Sequence, residues 1–322
     1  MQTKLPTLHH IPTKADIEAT HLAIADLIHR TPVMTCESLN EITGADLYFK
    51  CENFQKVGAF KMRGAASAAL RLKPEQLEKG IATHSSGNHA QAVARAAQFL
   101  DVPAYIVMPE NAPVIKRAAT EGYGAEVIPC APTIDARQET LEQVVARTGA
   151  TFIHPYDDYH VIAGQATAAK ELIEDAPALD IIMAPIGGGG LMSGTALSSS
   201  YFSPASRILG AEPVEVNDAA RSFRSGRVET NATINTIADG LRTNLSEKTL
   251  HIIRENLEAV LTVDEETIIR AMRLLWERMK IVVEPSGAVP FAAVLAYPEL
   301  FAGQKAGLIL TGGNVDLADL PF

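Results

Sequence analysis

The 322 residues, 47% hydrophobic and 20% charged, have an ordinary globular balance and enough length for one large or two modest domains. A net charge of −10 disfavours a nucleic-acid partner, and no run approaches the ~18 apolar residues of a membrane span. Cys36, Cys51 and Cys130 are widely spaced, which argues against a disulfide framework or a zinc site; with an N-terminus lacking an apolar signal core, this predicts a reduced, cytoplasmic protein.

Apolar residues at helical spacing predict a first helix over 15–29, and the β-rich run 46–51 predicts a strand. Helices are expected at 65–72 and, after a short turn and strand at 80–83, at 89–99. Strands at 103–108, 126–130 and 151–154 alternate with helices at 112–121 and 134–147. Strands follow at 181–185, 207–211 and 306–311, with helices at 193–199 and 265–279. The tract 217–235, rich in Arg, Ser, Asn and Thr, reads as a surface excursion. Most strands are apolar on both faces, as buried parallel strands are. The alternation argues for an α/β fold with parallel sheets. No Pro/Gly/Ser-rich linker cuts the chain, so two domains are expected to interleave.

Four strings carry chemistry. In Gly58-Ala59-Phe60-Lys61-Met62-Arg63-Gly64-Ala65 a lysine sits between apolar neighbours at the start of a small-residue helix. Most lysines are solvated; one held in such a place loses its proton more easily, as a reactive amine must. Ser85-Ser86-Gly87-Asn88-His89-Ala90 opens a helix, either as simple caps or as an anion site built from free N–H groups. Gly187-Gly188-Gly189-Gly190-Leu191 follows a buried strand, where glycines let backbone N–H groups converge on a phosphate. It matches neither GxGxxG nor the Walker order. Thr311-Gly312-Gly313-Asn314 lies at another strand end, the edge where α/β folds place ligands.

In this order and at these separations, the four strings resemble the serine racemase and serine/threonine dehydratase group of fold-type II pyridoxal-phosphate (PLP) enzymes. The resemblance runs from about residue 16 to 317 and includes Val161-Ile162-Ala163-Gly164-Gln165, Ala238-Asp239-Gly240 and Val283-Glu284-Pro285. It implies a tryptophan synthase β-like fold of two interleaved open twisted-sheet domains flanked by helices. A large PLP-binding domain would take 1–79 and 157–322, and a small substrate-loop domain 80–156.

By the same resemblance, Lys61 holds the cofactor as a Schiff base and moves protons at Cα, and Ser86 could return a proton on the opposite face. Phe60 packs on the ring, Asn88 bonds the phenolic oxygen, and Gly187, Gly188, Gly189 and Gly190 cradle the phosphate. Thr311 takes the place of a serine beside the pyridine nitrogen. Ser85, Gly87, Asn88 and His89 receive the substrate carboxylate. Glu212, the Val216 carbonyl and Asp218 match a divalent-cation loop whose oxygen ligands suit Mg²⁺ or Ca²⁺. Lys280, Gln91, Tyr123 and Asn314 fall near positions used for ATP, and a homodimer is expected.

The implied activity is a dehydratase or ammonia-lyase converting 3-hydroxyaspartate, serine or threonine to a keto acid and ammonia. Serine racemase with side elimination is the nearest alternative, followed by β-replacement and a non-catalytic PLP-binding regulatory protein. The C-terminal string 311–322 looks like the 3-hydroxyaspartate branch, and Arg242 is the candidate partner for a second carboxylate. Ala59 replaces the serine often found before Phe-Lys. No regulatory tail follows position 322, so feedback control by isoleucine is not expected.

Overall fold

The computed structural model describes residues 5–112 and 114–322. The amino-terminal half carries helices α1 (Lys14–Ile24), α2 (Glu37–Thr43), α3 (Lys61–Ala69), α4 (Pro74–Leu77), α5 (Asn88–Leu100), α6 (Val114–Gly122) and α7 (Ile134–Thr148). Helices α8 (Tyr159–Asp175), α9 (Gly190–Phe202), α10 (Asp218–Ser225), α11 (Glu247–Asn256), α12 (Glu265–Leu274), α13 (Pro285–Ala296) and α14 (Pro298–Phe301) follow.

Strands β1 (Val33–Met34), β2 (Asp46–Cys51), β7 (Ile181–Pro185), β8 (Arg207–Pro213), β9 (Ala259–Val263) and β10 (Lys305–Leu310) form a sheet in the order β1-β2-β10-β7-β8-β9. Only the β1–β2 pairing is antiparallel. Strands β3 (Ile81–His84), β4 (Ala104–Pro109), β5 (Glu126–Cys130) and β6 (Thr151–Phe152) form a second, all-parallel sheet in the order β5-β4-β3-β6. Strand β7 is buried along its whole length, which explains its unbroken apolar run.

The cores do not divide cleanly at residue 80. Met62, Ala65 and Ala69 of α3 pack in one apolar cluster with Ile81, Val93 and Ile106 of the four-stranded sheet's layer. The excursion read at 217–235 contains the helix α10, whose Ala219, Ala220 and Ser222 are buried. Two of its polar residues, Asp218 and Ser222, are buried with the alanines, so a polar composition disguised a helix packed on the core. The helix predicted over 265–279 is α12 continued by a π-helical turn, Leu275–Met279.

Candidate active site

The reactive strings meet at carboxyl ends of parallel strands. Ser85 follows β3, Gly187 follows β7 across Ile186, and Thr311 follows β10 directly. The segment 59–60 lies beside Thr311 and Gly312, through an Ala59–Gly312 bridge and a Phe60 N–H donated to the Thr311 carbonyl at 3.0 Å. Lys61 is thereby fixed as the first residue of α3. Its Nζ donates to the Pro155 carbonyl at 2.9 Å and lies 5.1 Å from the centre of the Phe60 ring. Burial lowers the Lys61 amine to about 8, against an opposing pull from the Glu284 carboxylate.

Asn88 begins α5, which has no side-chain cap. The N–H groups of its first turn, which no helix satisfies internally, are thus left available to an anion. Gly87 N–H donates to Ser85 Oγ at 3.3 Å. The Asn88 amide donates to both Glu284 oxygens at 3.0 and 3.1 Å and accepts from Asn314 at 2.8 Å. Asn314 also donates to the carbonyl of Val57, a β-branched residue at a φ of 60°. Ser86 forms no hydrogen bond among the described residues. His89 points into the interior, with a ring nitrogen 3.0 Å from the Ile153 carbonyl; burial holds its pKa well below the usual imidazole value.

Gly189 caps α9 with a φ of 85°, a backbone setting that favours glycine. A Cβ on Gly188 would run into the Tyr156 ring, and one on Gly187 would lie 2.9 Å from the Gly240 carbonyl. The loop is thus enclosed by the segments 154–157 and 239–245. Thr311 is 2% exposed, and its hydroxyl has no hydrogen-bond partner.

Glu212 and Asp218 converge at the end of β8 and the start of α10. Glu212 accepts from the Ala219 and Ala220 N–H groups at 3.2 and 2.6 Å. Asp218 accepts from the Asn231 amide at 2.5 Å and the Leu245 N–H at 3.2 Å. Burial raises Glu212 to about 8 and Asp218 to about 6. Among the described residues no third His, Cys, Asp or Glu joins them. Val216 is buried in the turn between the two.

Arg242 stands apart. It is exposed, and its guanidinium is tied back to the Thr236 carbonyl at 2.7 and 3.3 Å. None of its hydrogen bonds reaches Lys61 or the Ser85–His89 string. Glu284, which sequence reasoning left without a role, is the buried acid at the centre; its place before Pro285 at the start of α13 was the available signal.

The pyridoxal-phosphate-dependent enzyme family model matches residues 24–312. This chain is a member of that family. It is 47% identical to the β-hydroxyaspartate dehydratase of Paracoccus denitrificans, over 97% of this chain and 99% of that protein. It is 48% identical to the L-threo-3-hydroxyaspartate ammonia-lyase of Saccharomyces cerevisiae, over 95% and 94% of the two chains. The serine racemase structure from Dictyostelium discoideum superposes with a TM-score of 0.90 at 46% identity, covering 95% of this chain and 99% of that one. The PLP enzyme fold seen here is therefore fold-type II, with its two sheets flanked by helices, as in these neighbours. No described helix is long and apolar enough to cross a membrane.

Proposed function

We propose that this chain removes the β-hydroxyl and the amine from 3-hydroxyaspartate, giving a keto acid and ammonia. The observation that carries the reading is the desolvated Lys61 amine, held at the Pro155 carbonyl next to Phe60, whose N–H meets Thr311, with the Ser85–Asn88 turn and the glycine loop following other parallel strands. These residues fit pyridoxal phosphate. The orphaned Thr311 hydroxyl suits a ring nitrogen, the start of α9, which has no side-chain cap, suits a phosphate, and Lys61 supplies the amine. When bound, the cofactor supplies an electron sink that acidifies the substrate's Cα–H.

The chain's own residues do the rest. The open turn of α5 holds the substrate carboxylate, which fixes the Cα–H bond toward Lys61. Lys61, kept close to neutrality by burial, accepts the Cα proton at Nζ. Phe60 bounds one side of the amine, and Asn88, held by Glu284 and Asn314, would help hold the cofactor when it is bound. The thirteen-residue helix α5 ties this turn to the four-stranded sheet, which supports the reading of 80–156 as a substrate-loop domain.

Glu212, Asp218 and the Val216 carbonyl would hold Mg²⁺ or Ca²⁺. Two buried carboxylates meet there with only N–H donors against them. ATP and a second copy of the chain are proposed partners on family likeness alone. ATP titration and light scattering test them.

Keto-acid production across the stereoisomers of 3-hydroxyaspartate, serine and threonine tests the activity. Hydroxyaspartate should give the highest kcat/KM. The absence of keto acid from all three would sink the reading. Serine racemisation is the second reading, favoured by the free Ser86 hydroxyl; D-serine formation that outruns keto acid and is lost in Ser86→Ala would establish it. Arg242 would meet a second carboxylate only by leaving the Thr236 carbonyl; on that reading Arg242→Ala should lower hydroxyaspartate turnover ~10-fold or more while sparing serine, as loss of a charge-assisted contact predicts. Equal loss on both substrates would remove Arg242 as the second-carboxylate partner.

A further inference from the structure

Behind the Lys61 helix lies a buried charge cluster that the chemistry above does not use. Lys50 and Glu52 come from β2 and its end, Arg63 from α3 and Glu171 from α8, and all four side chains have zero exposure. Arg63 grips both carboxylates two-handed. Its Nε and Nη2 donate to Glu52 at 2.7 and 2.8 Å, and its Nη1 and Nη2 donate to Glu171 at 2.8 and 2.7 Å. Lys50 donates to Glu171 and to the Thr31 carbonyl, each at 2.7 Å. The two buried cations balance the two buried anions, and the half-buried His21 ring reaches Glu171 from the rim at 3.0 Å. A buried ion pair is weak evidence for stability, because desolvation offsets much of the attraction. Its use is better sought in geometry.

Two features point to geometry. Arg63 lies two residues after Lys61, so about 200° of helical rotation separates them. The cluster grips the back of α3 while Lys61 faces Pro155. The same helix also touches α8 through backbone. A Cβ on Gly164 would strike the Arg63 carbonyl, and one on Gly64 would strike the Gln165 amide. Close contact fixes the distance between the helices, and the bidentate contacts fix rotation and register.

We propose that Arg63, clamped by Glu52 and Glu171, is a positioning residue that sets the rotation of α3 and so aims the Lys61 amine at the reacting centre. This rests on the reading of Lys61 as the reactive amine. Lys61's own titration is set by burial and by Glu284, with His89 and His154 as the other titratable groups around it. The cluster can therefore reach Lys61 chiefly by moving it.

The test uses the full chain stripped of cofactor, with Lys61 acetylated over a range of pH and read by peptide mass spectrometry. The charge-balanced pair Arg63→Met/Glu52→Gln is compared with wild type. Phe301→Leu, remote in the six-stranded sheet's core, serves as a control matched for lost Tm. Wild type should label with a midpoint near 8. In the pair variant the midpoint should rise by a unit or more toward the ordinary lysine value of about 10.4. Its reloaded kcat should fall ~10–100-fold with KM little changed. Phe301→Leu should leave the midpoint in place. If the pair variant does not fold, Arg63→Lys keeps the charge without the two-handed grip, and the same shift is expected. A folded variant with lower Tm but a wild-type midpoint overturns the proposal. Failure of borohydride to tag Lys61 in cofactor-treated wild type would instead overturn the proposed function, whatever the midpoint does.

Discussion

Lys61 is pulled two ways: burial favours the neutral amine, and the Glu284 carboxylate favours the ammonium. Capture of pyridoxal phosphate needs the neutral form, so the capture rate should rise with pH and level off above about 8. Glu284→Gln keeps an acceptor for Asn88 and deletes the opposing charge. The midpoint of capture should then move to lower pH by about one unit. Stopped-flow absorbance at the imine band measures it, and an unmoved midpoint would show that Glu284 does not act on the amine. Stability gives a second sign. Burial raises the Glu284 carboxyl from 4.5 to about 7, so the folded state keeps a proton that the unfolded chain has released. Folding stability from this group falls as pH rises from about 4.5 to about 7 and stays lower above that, a loss that Glu284→Gln should abolish. At this scale the sequence was informative where a residue type is rare in its setting. A lysine between Phe60 and Met62, or four glycines after an apolar strand, announces itself. Glu284 did not, because a single acid before a proline reads as an ordinary helix start.

At the scale of elements, legibility followed contrast. Strands β2, β5 and β7 were read at their observed limits, since each is a short β-rich or apolar run between polar turns. The longest helix, α8, escaped prediction. Its residues from Val161 to Leu172 are all buried, so no polar face marks the helical period. Helix α13 escaped for the same reason, with Pro290 inside it as a further disguise. What lets α8 be buried on every side is small residues at its crossings. A Cβ on Gly194 of α9 would stand 2.5 Å from the Ala166 nitrogen and 2.9 Å from the Ile162 carbonyl. Backbone cannot swing aside as a side chain can. Gly194→Ala should therefore cost about 1–3 kcal/mol by forcing α9 off α8, despite alanine's better helix propensity. Urea unfolding measures this. A stability equal to or above wild type would mean that the two helices have slack at this crossing.

For the whole molecule, the cation proposed at Glu212 and Asp218 has consequences beyond its own ligands. Asp218 holds Asn231 and the Leu245 N–H, and so anchors both ends of the excursion between α10 and α11. That excursion is the wall of the glycine loop: Leu245 lies 2.6 Å from where a Gly189 Cβ would stand, and Gly240 and Leu241 back Gly187. Without a cation, burial and the neighbouring Asp218 hold a proton on Glu212 at neutral pH where the wall joins the sheet. A cation would let both groups ionise and bind it, and the phosphate cradle inherits the order. Mg²⁺ or Ca²⁺ should therefore raise Tm in proportion to the logarithm of its concentration above Kd, as ligation of the folded state requires. The same ions should slow loss of cofactor during dialysis. EDTA should reverse both effects, and Asp218→Asn should abolish both, since it removes one carboxylate while keeping a side-chain acceptor for Leu245. A metal that raised Tm equally in wild type and Asp218→Asn would be binding elsewhere. Tm that rose without any change in cofactor retention would separate the cation from the glycine loop, and the wall would then be held by its apolar contacts alone.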